Sequence, residues 1–169
     1  MAGVVALATL LVMAVRAPVR RAGLEAVRGH RVFGVGPRAV RGIDVTLEGR
    51  RFIARRAAQG WEIDGLPASA GTADALDDLL ETLIGLRAVD VFRSRDRSSF
   101  GLERPRAMID LVTDRGVRRV VLGATNATGG ALYARREGDP RVLQVGIVLL
   151  SEVERVFFNR DAPQRPEIG

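Results

Sequence analysis

The sequence predicts an α+β domain, an antiparallel sheet built from two strand-rich units. A helix packed on the sheet closes each unit, and a hydrophobic helix precedes the whole. Three observations carry this expectation. Arg41–Glu48 alternates apolar and polar residues with the period of a half-buried strand. Leu76, Leu79, Leu80, Leu83 and Leu86 recur at three- and four-residue spacing, which makes one apolar helical stripe. The order strand, acidic-glycine turn, basic strand occurs twice, in GIDVTLEGRRFIARR and in MIDLVTDRGVRRVVLG, and each half finishes with a helical pattern.

Taken in order, the chain divides into a leader (1–22), a linker (23–40), the domain (41–159) and a loose tail (160–169). Ala2–Val15 is an unbroken apolar run followed at once by Arg16, Arg20 and Arg21. As a helix it spans about 21 Å, short of the roughly 30 Å hydrocarbon layer, and it reaches further if the helix runs to Val19 and Arg16 snorkels. A single-pass membrane anchor is the leading reading, with a cleaved signal and a buried helix as alternatives. The run has no basic residue before it, which a signal peptide ordinarily has. Arginines after the run favour a cytoplasmic domain by the positive-inside rule. Gly29, Gly34, Gly36 and Pro37 mark 23–40 as a stalk, and Gly34-Val35-Gly36 lacks the third glycine and downstream acid of a dinucleotide fingerprint.

Within the domain, Arg41–Glu48, Arg51–Arg56 and Trp61–Asp64 read as a three-stranded meander turned at Gly49-Arg50 and Gln59-Gly60. Thr72 is the expected N-cap of the leucine-striped helix. Its acids, Asp74, Asp77, Asp78 and Glu81, suit the helix dipole, with Asp77 and Glu81 on the solvated face. Ala88–Phe92 is a strand and Arg93–Ser99 a polar link. Ala107–Thr113 and Val117–Leu122 form a hairpin, Ala131–Arg136 and Arg141–Val145 form another around Glu137-Gly138-Asp139-Pro140, and Val148–Phe158 is the closing helix.

Charge and composition exclude more than they assign. The net charge of +6 resides in residues 1–41, which carry seven arginines against Glu25, while 42–169 balance nineteen arginines with nineteen acids. A neutral domain with few aromatics is a poor nucleic-acid binder, so no nucleic-acid partner is expected. There is no cysteine, hence no disulfide or thiolate chemistry, and the lone His30 falls ahead of the domain, which removes Ser-His-Asp and histidine-rich metal chemistry. No cofactor, metal or catalytic residue is assigned. The candidate binding residues are Tyr133 and Arg135 of the last hairpin and Trp61 of the first meander. Each also has a plain structural role as core or strand face, and alternation sends Arg135 and Arg136 to opposite faces.

Several stretches together carry a family resemblance. They are Val45-Thr46-Leu47, Gly60-Trp61-Glu62-Ile63, the helix Ala75–Leu86, Phe100-Gly101-Leu102 with Pro105, Leu122-Gly123 through Gly129-Gly130, Tyr133-Ala134-Arg135 and Gly138-Asp139-Pro140-Arg141-Val142. The chain resembles a bacterial family known as domain-of-unknown-function family 4340 over roughly Arg41–Asn159. The resemblance implies a membrane-anchored protein with its domain on the exported side, associated with ABC-type export or gliding-motility systems. It supplies no catalytic residues.

The expected function is therefore a membrane-tethered, non-catalytic binding or scaffold module. Its partners are membrane lipid, through the leader, and a protein of an ABC-type transport or other envelope complex. The alternatives are a carboxylate-dependent hydrolase, which needs two partly buried acids converging in a cleft, and a nucleic-acid-binding protein.

Overall fold

The computed structural model describes residues 30–158. The predicted leader, the first part of the linker and the tail lie outside the described residues. Among the described residues no helix is long and apolar enough to cross a membrane.

Among the described residues, nine strands form one antiparallel sheet: β1 (Val40–Leu47), β2 (Arg50–Ala57), β3 (Gly60–Ile63), β4 (Leu66–Pro67), β5 (Asp90–Arg93), β6 (Ala107–Thr113), β7 (Gly116–Thr125), β8 (Ala131–Arg136) and β9 (Arg141–Gly146). The spatial order is β4-β3-β2-β1-β6-β7-β8-β9-β5. Helix α1 (Ala70–Gly85) follows the first meander and α2 (Val148–Phe158) the second. The α+β class and the two helix-closed units are as the sequence predicts.

Alternation sorts the strands into two faces. Ile43, Val45, Leu47, Phe52, Ala54, Ile109, Leu111, Val120, Leu122, Leu143 and Val145 turn inward and join Leu76, Leu79, Leu80, Leu83, Leu149 and Val153 of the helices in one core. Phe157 of α2 stacks on Phe52 of β2 at 5.5 Å between ring centroids, so the helix of the second unit rests on a strand of the first. The outer face keeps its polar residues, except where the 94–106 connection crosses it. There Phe100 lies 4.6 Å from Tyr133 and 5.4 Å from Phe92, and Leu102 is buried. The crossing is tight: the Ala124 N–H donates to the Phe100 carbonyl at 2.9 Å, and a Cβ on Gly123 would stand 2.1 Å from that oxygen.

Two local expectations need correction. Residues 30–40, assigned to the linker, belong to the fold: Val32 and Phe33 are core residues, and the Val32 N–H donates to the Leu86 carbonyl at 2.9 Å. The glycines around this short apolar pair obscured it. The N-cap of α1 is Ser69, whose Oγ accepts the Thr72 N–H at 3.3 Å, so the helix begins a turn earlier than the leucine stripe alone implied. Asp77 lies on the exposed face as expected, and there its Oδ1 accepts from Trp61 Nε1 at 3.0 Å and Arg56 Nη2 at 2.8 Å.

Candidate functional site

The first polar arrangement is central. β1 and β6 pair in a register that sets Asp44 directly opposite Asp110, and both are buried on the outer face. Like charges facing across a ladder are destabilising, and arginines on the flanking strands offset this. Arg119, opposite Asp110 on β7, closes on it with two hydrogen bonds of 2.7 and 2.6 Å. Asp44 faces Ile53 on β2 instead and is held by Arg51 and Arg55 from either side of it. Arg55 reaches across Gly42, where a Cβ would meet its Nη1 at 2.8 Å. Burial pushes the Asp44 carboxyl up, but hydrogen bonds from Arg55 and Arg51 hold it below the ordinary carboxylate value.

The second arrangement lies on one rim of the sheet, where β1, β7 and β9 begin and β5, β6 and β8 end. Asp139, in the β8–β9 turn, accepts from Arg136 Nη2 at 2.7 Å and from Arg141 Nε and Nη2 at 3.0 and 2.8 Å. The Arg141 contact is the main cause of a carboxyl held far below its usual range, against burial. Arg141 Nη1 also meets His30 Nε2 at 2.7 Å, which fastens the start of the described chain to this hairpin. Beside it opens a crevice of about 610 Å³ whose lining holds five arginines (93, 118, 119, 136 and 141) against Glu137 and Asp139, with the core residues Val32 and Phe33 behind it and Val117 as an exposed apolar residue. A smaller concavity on the same rim is lined by Arg38, Arg41 and Arg56.

The three predicted binding residues are not brought together. Trp61 is 3% exposed, with Arg56 stacked 4.6 Å from its ring, and it faces the core in the first unit. Tyr133 joins the aromatic cluster on the outer face of the second unit. Arg135 shares that face and is half-buried, with its Nε enclosed and without a hydrogen-bond partner among the described residues, whereas Arg136 sends its Nη2 to Asp139. The sequence reading missed the facing aspartates, although the internal repetition aligns Asp44 with Asp110 and so contained the signal. It also missed Arg93, Arg118 and His30, which nothing local marks out. Among the described residues, no group of three or more His, Asp or Glu side chains is arranged to hold a metal ion.

No curated protein and no solved structure matched the chain. A family model described as Domain of unknown function (DUF4340) matches residues 61–159, from β3 through the closing helix and including the whole second unit. That match spans more than half of the chain, and the protein belongs to this DUF4340 family.

Proposed function

We propose that the protein is a non-catalytic binding and scaffold module, tethered to the membrane by its apolar leader and acting with an ABC-type transport or other envelope complex. The observation that supports it is how the charge is used. The buried carboxylates are locked into ion pairs, while guanidinium groups gather on one rim. General acid or base catalysis calls for a group poised near the working pH, and Asp44 and Asp139 are pushed the other way. Fixed cations around an open concavity suit binding instead.

One observation favours the hydrolase reading, namely that Asp44 and Asp110 face each other. Their three arginines make that pair a charge-compensated strut on an open sheet face, and the larger crevice is lined by neither carboxylate.

The tether is tested by membrane fractionation with protease protection of the full chain, followed by mild extraction and partner capture. The expected result is an integral protein, with the domain on the exported side, that co-purifies with an envelope or transporter component. A fully soluble, uncleaved protein would overturn the tether, and a membrane protein that captures no such component would overturn the scaffold role.

A further inference from the structure

The rim crevice beside the β8–β9 hairpin has three features that bear on its ligand. Its cations are partly uncommitted: Arg93 and Arg118 are exposed, and their side chains have no ion pair or hydrogen bond among the described residues. Arg136 Nε is buried and lacks a partner, so the crevice holds a donor the described chain does not satisfy. The third feature is Val117, an exposed apolar residue of the same lining (49% accessible), which lets a ligand carry a non-polar portion beside its charge.

The register explains why the arginines converge. Arg93 of β5 pairs with Arg141 of β9, while Arg136 ends the neighbouring strand β8 and Arg118 lies near the start of β7. All four therefore crowd one end of adjacent strands. Arg136 and Arg141 are fixed from below by Asp139, which orients them without neutralising Arg93 or Arg118.

Position selects the ligand. His30, in contact with Arg141, stands where the described chain begins, and only seven residues, 23–29, separate it from the apolar leader and its arginines. Seven residues reach at most about 25 Å even when fully extended. If the leader lies in the bilayer, this rim faces the headgroup layer, with the second basic concavity of Arg38, Arg41 and Arg56 along the same edge.

We infer that the crevice bounded by Arg93, Arg118, Arg136 and Arg141 binds the phosphodiester headgroup of an anionic membrane lipid. Arg93 and Arg118 meet the phosphate from opposite sides, and the glycerol and upper acyl portion lies against Val117. The lipid as source rests on the tether reading; the anion-binding crevice rests on geometry alone.

The full chain, purified in a neutral detergent, is titrated with dihexanoyl-phosphatidylglycerol below its micelle concentration and, separately, with inorganic phosphate. The expected result is saturable, salt-sensitive binding of the lipid, tighter than that of phosphate. The double variant Arg93→Gln, Arg118→Gln should weaken it by roughly tenfold or more, because two charge-assisted contacts are lost. These side chains are exposed and unpaired, so the thermal midpoint should stay unchanged. The equal loss of charge in Arg95→Gln, Arg104→Gln, away from the crevice, should leave binding intact. Absence of binding, or binding indifferent to the crevice variant, would overturn the inference. Phosphate bound as tightly as the lipid would overturn the lipid assignment. Because this titration does not depend on where fractionation finds the protein, tether and crevice can fail separately.

Discussion

The two halves of the sheet share a hairpin of one design and then part company. Asp44 opposite Ile53 in the first unit stands where Asp110 opposite Arg119 stands in the second, and the Leu47–Arg50 turn pair matches Thr113–Gly116. Since Asp44 also faces Asp110, an approximate twofold axis normal to the sheet passes between them. Beyond the hairpins the units diverge. The first continues through a close turn into β3, which buries Trp61, and ends in the two-residue β4. The second breaks register between Leu122 and Thr125, lengthens its connection to β8, places arginines at the near end of β8 and β9, and gains β5 as an additional strand. The common part is scaffold, built around a buried charge cluster. The crevice and the aromatic cluster occur where the second unit departs from the first.

The deepest break in this relation should come from the contact that interlocks the units. Phe157→Ala removes the α2 ring stacked on Phe52 of the first unit and should cost about 3–5 kcal/mol in chemical denaturation. A loss below about 1 kcal/mol would mean the helices stabilise their own units independently.

Gly123→Ala comes next, because its Cβ collides with the Phe100 carbonyl. We expect a loss of about 2–3 kcal/mol and exposure of Tyr133 to solvent quenchers. The corresponding place in the first unit is the exposed Ala57, where Ala57→Val should change stability by less than about 0.5 kcal/mol. Equal effects at the two positions would deny that the crossing loop is peculiar to the second unit.

Asp44→Asn and Asp110→Asn should each cost about 1–2 kcal/mol, as buried charge-assisted hydrogen bonds are weakened. The double variant should cost more than the sum of the two, because either single change already relieves the one repulsion across the ladder and the second change cannot relieve it again. Strict additivity in a double-mutant cycle would show that the facing aspartates do not sense one another.

Asp139 offers a pH test confined to the second unit. Its carboxyl is depressed in the folded state, chiefly by Arg141. Its contribution is therefore present above the unfolded value of about 4 and is lost as pH falls toward the lower folded value. Wild type should exceed Asp139→Asn in stability at neutral pH, and the gap should shrink progressively below about pH 4. A gap that stays constant into strong acid would assign the variant's loss to something other than charge.

The smallest effect belongs to the first unit's helix start. Ser69→Ala should cost about 1 kcal/mol and Thr72→Ala less, as read from thermal unfolding. The reverse order would restore Thr72 as the cap.

Much of the fold was legible because strand alternation and leucine spacing are local signals. Arg41–Glu48 could be read without knowing its neighbours, and so could Val148–Phe158. What escaped was set by distant pairing. Val32 and Phe33 gain their place from Leu86 and the core, which no window around residue 30 contains. Asp77 reads as a dipole-compensating acid until Trp61 arrives beside it. The rim crevice draws on four stretches of chain and becomes visible only after β5 has joined β9.

The outermost strands also limit how anything can dock on this sheet. β4 has two residues, the second a proline without a backbone N–H, and β5 has four, opening with Asp90 and closing with Arg93. Such borders are poor templates for another chain's backbone, which protects the sheet from growing sideways into fibres. They also disfavour recruitment by strand addition, the mode that reads main-chain geometry with little regard to sequence. On the scaffold proposal, recognition of a partner would then fall to side chains, and charge changes along the rim should weaken its capture more than shortening any extended segment it offers.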